Sequence, residues 1–204
     1  MKPLLTLSSP AAALPDADID TDIIFPARFL LITAKAGLGR YAFFDRRAES
    51  AAAGRPFPLQ IEGLDRPSIL MAGPNFGCGS SREQAVWALR DLGIQAILAP
   101  SFGEIFRSNC FKSGVLPITL SANDLAPLDA LQSTGTVVTI DLVERRIRAD
   151  GLPTLSFEIE DWQREALMNG WDDVLVLLNT QATAIAAFER SQSAQAPWLY
   201  SQVR

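Results

Sequence analysis

Across the middle of the chain, brief all-apolar runs alternate with longer stretches that carry apolar residues at helical spacing. Residues 68–72, 95–99 and 115–120 read as short buried strands, because each run is too short for a helix and is bounded by polar residues, Gly or Pro. Between the first two, residues 83–92 place Ala85, Val86, Ala88, Leu89 and Leu92 on one stripe, with Gly93 as a helix stop. A second helix starts after Pro100-Ser101, buries a face that includes Phe102, Ile105, Phe106 and Cys110, and stops at Gly114. Strand followed by helix, repeated, predicts an α/β fold: a sheet with parallel members and helices packed on it. Ligands in such sheets sit beyond the carboxyl ends of the strands, which is where residues 74–82 fall.

The flanks are read less sharply. Residues 4–7 give a first strand, followed by an Ala-rich, Pro-containing linker to residue 15. Asp16, Asp18, Asp20 and Asp22 alternate in the next stretch. A calcium loop would need glycine where Thr21 stands and an acid where Ala27 stands, so these carboxylates form either an acidic surface loop or part of a site. Pro26 opens a short helical turn to Ile32. Residues 33–47 read as a mobile segment with an aromatic anchor at Tyr41, Phe43 and Phe44, and residues 48–65 as loop. Ser121 caps a helix over 122–132. Strands follow at 136–142, 146–149 and 155–159, and helices at 161–168 and 181–190. The domain is expected to span residues 1–190, leaving 191–204 as a polar tail whose Trp198 and Tyr200 either dock on a partner or stay disordered.

The loop between the first internal strand and its helix carries the chemistry. It reads Ala72-Gly-Pro-Asn-Phe-Gly-Cys-Gly-Ser-Ser-Arg-Glu-Gln-Ala85. A helix start offers free N–H groups and the positive end of the helix dipole to an anion. Gly77 and Gly79 permit close backbone approach, Ser80 and Ser81 add hydroxyls, and Arg82 adds a fork that fits a carboxylate or phosphate. The structural alternative is a capped helix, because Ser80-x-x-Glu83 has the spacing of a capping box, and so does Ser101-x-x-Glu104. Nucleotide motifs fail here. There is no Gly-Lys-Ser/Thr, and the third glycine of G-x-G-x-x-G falls on Arg82.

Composition narrows the function by exclusion. The 204 residues are 48% apolar and 20% charged, which suits one globular domain with a full core. A net charge of −5 offers no footprint for nucleic acid. No apolar run approaches membrane-spanning length and no signal layout opens the chain, so a cytoplasmic home is expected. Cys78 and Cys110 are the only cysteines, too few for an iron–sulfur cluster, and a disulfide between them is not expected in a reducing compartment. There is no histidine. Ser-His-Asp and Cys-His nucleophile systems are therefore impossible within this chain, as is a histidine metal site.

Asn75-Phe-Gly-Cys-Gly-Ser-Ser-Arg-Glu83 resembles the signature of the 3-isopropylmalate dehydratase small-subunit family, whose members correspond to the swivel domain of aconitase. Asp20-Thr-Asp-Ile-Ile-Phe-Pro-Ala-Arg-Phe-Leu30 resembles the family's N-terminal D-T-D-x-I-x-P segment. Ala99-Pro-Ser-Phe-Gly-Glu-Ile-Phe-Arg-Ser-Asn109 resembles its second signature. Met168-Asn-Gly170 and Ala184-Ile-Ala-Ala-Phe188 resemble its C-terminal end. The likeness runs through nearly the whole chain in the family's order. It implies a single swivel-type domain with a mixed sheet, and a lyase reaction of branched-chain amino-acid (leucine) biosynthesis. That reaction isomerises 2-isopropylmalate to 3-isopropylmalate by dehydration and rehydration.

The resemblance also implies a [4Fe–4S] cluster, which must sit on a separate large subunit and whose iron accepts the departing hydroxyl as a Lewis acid. This chain itself would bind no cofactor. The serine of the motif carries over to Ser80 as the base, with its oxyanion stabilised by helix N–H groups and Arg82. Ser81 would bind or orient a carboxylate, Arg82 would grip one at two points, and Asp20 would lie beside the cleft and is favoured over Asp22. Gly79 keeps the backbone open to substrate. Leu31 and Ile32 follow the family's Y/F-L pair, where related enzymes face the substrate's variable side chain. Relatives that accept an extra carboxylate tend to carry arginine at the Leu31 position, so Leu31 points to an apolar substituent, unless it is simply core. Asn109 would hold the glycine loop or lie on a solvated helix face. One departure is Gln84, where the family usually has histidine. A paralogue acting on citramalate, benzylmalate or dimethylmalate would keep the same motif, as would a non-catalytic anion-binding subunit.

Overall fold

The computed structural model describes residues 1–59, 67–130 and 136–200. Seven strands of the described residues form one mixed sheet, β1 (Thr6–Leu14), β2 (Ile69–Ala72), β3 (Ala96–Ala99), β4 (Leu116–Thr119), β5 (Val137–Asp141), β6 (Arg146–Ala149) and β7 (Leu155–Ser156), in the spatial order 4-3-2-1-5-6-7. Strands β1 to β4 run parallel, whereas β5 pairs antiparallel with β1, and β6 and β7 continue antiparallel. The expected α/β domain with a mixed sheet is what the chain forms.

The parallel half is buried on both faces, and the strand period separates two cores. Leu70 and Ala72 of β2, with Ile97 and Ala99 of β3, face one core. Ile69 and Met71, with Ala96 and Leu98, face the other. Helix α3 (Glu83–Leu92) seals the first face with Ala85, Val86, Ala88 and Leu89, as its stripe predicts. Gly93 ends it in the left-handed region at φ +111°. Helix α4 (Glu104–Ser113) adds Phe106 and Cys110 to the same core. Helices α5 (Ala122–Asp129) and α6 (Asp161–Asn169) cover the other face with Leu125, Leu128 and Leu167. Ser121 caps α5 as expected, accepting from the N–H of Asp124 at 3.2 Å.

Several expectations are corrected. The Ala-rich stretch after residue 7 is not a linker but the far half of β1, which lies in the middle of the sheet. The strand changes partner at Pro10. Residues 6–10 pair with β5, and residues 11–14 pair with β2. A proline has no N–H for a ladder, and its place at the changeover is where that loss matters least. The Ser9 hydroxyl fills the gap, accepting from the Ser68 N–H at 2.8 Å and donating to the Pro10 carbonyl at 2.8 Å. Residues 48–52 are not loop, since helix α2 spans Phe44–Ala52. The aromatic anchor is present: Phe29 stacks on Tyr41 at 4.5 Å and meets Phe44 edge-on at 5.2 Å. The strand expected at 155–159 is shorter, and residues 131 and 132 of the helix expected over 122–132 lie outside the described residues.

Two further helices follow. Helix α7 (Asp173–Thr180), unpredicted, is capped by Asp172, and α8 (Ala182–Gln195) continues through residue 190. Among the described residues no helix is long and apolar enough to cross a membrane.

Ser9→Ala removes an acceptor from a part-buried N–H at the sheet's changeover. We expect a loss of about 1–3 kcal/mol of stability, read from denaturant unfolding with an unchanged slope.

Candidate active site

Parallel pairing puts the carboxyl ends of β1, β2 and β3 on one edge, so the loops that follow them meet. The loop after β1 is tied to the loop after β2 by Asp18 N–H to the Pro74 carbonyl at 3.0 Å and by Gly77 N–H to the Ile19 carbonyl at 2.7 Å. The loop after β3 joins through Phe76 N–H to the Ser101 carbonyl at 3.1 Å and Gly103 N–H to the Phe76 carbonyl at 2.9 Å. The glycines are set by contact as well as by dihedral. Gly77 has φ +74°, and a Cβ there would stand 2.1 Å from the Phe106 ring. A Cβ on Gly103 would stand 2.6 Å from the Gly77 carbonyl. The packed ring of Phe106 therefore presses on one side of the loop, and side chains are excluded there.

Asp16, Asp18 and Asp22 are exposed, as an acidic surface loop would be, yet each of the four aspartates has a partner. Asp16 pairs with Arg46, and Asp18 accepts from the Asn75 side-chain amide at 2.7 Å. Asp20 caps the four-residue helix α1 (Thr21–Ile24), accepting from the Ile23 N–H at 2.7 Å. Asp22 pairs with Arg82, which also reaches the Phe25 carbonyl at 3.4 Å. The hydrogen bond from Arg82 holds the Asp22 carboxyl below its ordinary range. Sequence reasoning favoured Asp20 over Asp22. The structure makes Asp20 a cap that also bridges to Cys78, and makes Asp22 the residue that aims Arg82.

Neither serine capping box forms. Helix α3 begins at Glu83 with Arg82 as its N-cap, and no side chain caps it. Ser80 stands two residues too early, its carbonyl accepting from the Arg82 N–H at 2.8 Å. The first N–H groups of α3 are thus left without a side-chain cap, as an anion site at a helix start needs. Ser101 likewise does not cap α4, whose N-cap is Gly103. Its hydroxyl accepts from the Asn75 N–H at 2.8 Å instead.

Gly79, Ser80 and Ser81 are exposed, and Arg82 is half-buried behind them. Gly79 has φ +91°, and the nearest atom to a Cβ built there is 3.5 Å away, on Asp20. Ser80 has one partner that sequence reasoning missed. The Thr21 hydroxyl lies 3.1 Å from the Ser80 carbonyl and 3.3 Å from the Ser80 hydroxyl. Its position inside the D-T-D run was the available signal. Leu31 is 93% exposed, which excludes the core reading, while Ile32 packs partly against the first core. Asn109 is buried rather than on a solvated face, and Phe106 of α4 packs on the glycine loop. Cys78 is half-buried in the loop. Burial, with Asp18 and Asp20 nearby, raises its thiol above the ordinary range, so it is a poor nucleophile or metal ligand. Cys110 is buried and pushed above the ordinary thiol range by desolvation.

Comparison with known proteins shows the family. The aconitase C-terminal domain family matches residues 1–123, and the family formed by the C-terminal domain of the 3-isopropylmalate dehydratase small subunit matches residues 180–202. The chain is 42% identical to the 3-isopropylmalate dehydratase small subunit of Rhodospirillum centenum over 97% of its own length and 98% of the relative's. It is 39% identical to the protein of the same name from Mesorhizobium japonicum, over 97% of this chain and 100% of the relative. Among solved structures, the 3-isopropylmalate dehydratase of Methanocaldococcus jannaschii superposes with a TM-score of 0.67 at 27% identity, covering 90% of this chain and 99% of the other. With its sheet, its loop signature and its full-length likeness in accord, this chain belongs to the 3-isopropylmalate dehydratase small-subunit family, within the aconitase C-terminal (swivel) domain group.

Proposed function

We propose that this chain is the small subunit of a cytoplasmic 3-isopropylmalate dehydratase, a hydro-lyase active only when paired with its large subunit. The carrying observation is that Ser80, Ser81 and Arg82 stand at the carboxyl edge of the parallel strands, ahead of a helix start that no side chain caps, with Arg82 already aimed by Asp22.

The roles follow from the chemistry of an alkylmalate. Ser80 Oγ takes the proton from the carbon beside a carboxylate as the hydroxyl on the neighbouring carbon departs. In the rehydration it gives that proton to the carbon that lost the hydroxyl while a hydroxyl adds to the carbon that lost the proton. A serine hydroxyl is a weak base, so it needs donors around the oxyanion. The start of α3 and Arg82 offer them. Arg82 grips one substrate carboxylate, for which its fork is suited, and Ser81 orients it. Gly79 leaves the backbone open beside them. Asp20, by capping α1, holds the first loop against the second. Exposed Leu31 and neighbouring Ile32 receive the substrate's isopropyl group.

An iron–sulfur cluster does not fit this chain. Its two cysteines fall short of the usual thiolate set, Cys110 is buried within the first core, and no three potential ligands of the described residues stand together. The cluster therefore belongs to the large subunit.

The deciding experiment is dehydratase activity, measured anaerobically, of this chain with a cluster-loaded large subunit on 2-isopropylmalate, citramalate, benzylmalate and homocitrate. Preference for 2-isopropylmalate is expected, and a well-formed complex inactive on all four would overturn the reading. Ser80→Ala should lower kcat by about 100- to 10,000-fold, while stability, read by thermal melting, moves by less than about 0.5 kcal/mol, because Ser80 caps no helix. Leu31→Arg should cut kcat/KM for 2-isopropylmalate by about 10- to 200-fold and improve it for homocitrate, measured on the same panel.

A further inference from the structure

Thr21 is 1% exposed and sits behind the exposed Ser80. It grips the glycine loop on both sides of Gly79. Its N–H donates to the Cys78 carbonyl at 2.9 Å, and its hydroxyl lies 3.1 Å from the Ser80 carbonyl. A purely structural clasp needs only those two contacts. The third, 3.3 Å from Thr21 Oγ1 to Ser80 Oγ, sets a buried hydroxyl against the atom assigned as the base.

A hydroxyl has one proton to give and lone pairs to accept with, so its two partners at Ser80 compete for that proton. While Ser80 is neutral, its own O–H donates to Thr21 Oγ1 and the Thr21 proton goes to the Ser80 carbonyl. When Ser80 is ionised, the Thr21 proton turns to the alkoxide. That bond is charge-assisted, roughly twice as strong as a neutral one, and strengthened further by the low dielectric around a buried group.

We propose that Thr21 is a positioning residue for the isomerisation: its hydroxyl turns between the Ser80 carbonyl and the Ser80 Oγ, stabilising Ser80 as an alkoxide. The proposal rests on the assignment of Ser80 as the base. The protons balance. The Ser80 proton is lost to water when the alkoxide forms, the alkoxide then takes a proton from the substrate carbon, and the Thr21 hydroxyl rotates back to the carbonyl. Returning that proton to the adjacent carbon reverses the rotation. Thr21 loses no proton at any stage.

The test takes this chain, assembled with the cluster-loaded large subunit, and compares wild type with Thr21→Val, Thr21→Ala and Thr21→Ser on 2-isopropylmalate. Valine keeps the shape and removes the hydroxyl, alanine removes both, and serine keeps the hydroxyl. We expect Thr21→Val and Thr21→Ala to lower kcat by about 100-fold with KM within about twofold, as for loss of one oxyanion donor. The rising limb of kcat against pH should move to higher pH, because an alkoxide without its donor forms less readily. Thr21→Ser should restore both. Asp18, Asp20 and Asp22 on one loop, and Cys78, Arg82 and Glu83 on the other, stay in place in every variant. Unchanged kcat in Thr21→Val, or a loss with an unmoved pH profile that serine does not repair, would overturn the proposal and leave Thr21 a clasp. An inactive wild-type complex would instead overturn the Ser80 assignment, and this proposal with it.

Discussion

Four residue pairs of parallel ladder, Ala11 to Leu14 against Ile69 to Ala72, bring the two polar loops of the chain to one edge of the sheet. Parallel strands have their carboxyl ends together, so the aspartate loop and the glycine loop are neighbours although they are far apart in sequence. Each half of the site is incomplete alone. Arg82 takes its aim from Asp22, Ser80 is held by Thr21, and Asn75 is tied to Asp18. A slip of one residue between β1 and β2 would exchange the two cores and part these loops.

That dependence explains why a proline and a serine at the head of the ladder matter. Pro10 marks where β1 leaves β5 for β2, and the Ser9 hydroxyl satisfies the Ser68 N–H at the entry to β2. On the opposite side of the loop, Phe106 and Gly103 of the second signature leave no room for side chains at Gly77. The glycine loop is thus fixed from two directions, by polar contacts from the first loop and by packing from α4. Ser80 and Ser81 are exposed on this loop.

The pattern of α3 was legible because local periodicity and burial agree there, whereas in α4 the expected face held only at Phe106 and Cys110: Ile105 is exposed and Phe102 precedes the helix. The stripe of α3, the stops at Gly93 and Gly114 and the cap at Ser121 each depend on neighbours within a few residues. Where burial comes from distant partners, local pattern misled. Residues 8–14 look like a linker because small alanines carry little hydrophobic signal, yet they pair on both sides in the sheet. The capping-box spacing at Ser80 and Ser101 was correct as a pattern. Both hydroxyls were claimed by groups from elsewhere, Thr21 for one and the Asn75 N–H for the other.

By itself the sequence determined the strand-then-helix repeat, the glycine loop with its two serines and arginine, the lack of any histidine-based chemistry and the shortage of cluster ligands. These are properties of residue type and near spacing. Only the tertiary structure decided that Asp22 rather than Asp20 aims Arg82, that Leu31 is exposed rather than core, and that a buried threonine hydroxyl stands behind Ser80. The reason is that each of these is a contact, or an absence of one, between segments joined only by the sheet. The alternating aspartates look equivalent in sequence until α1 turns one toward its own N–H group and the next toward the arginine across the loop.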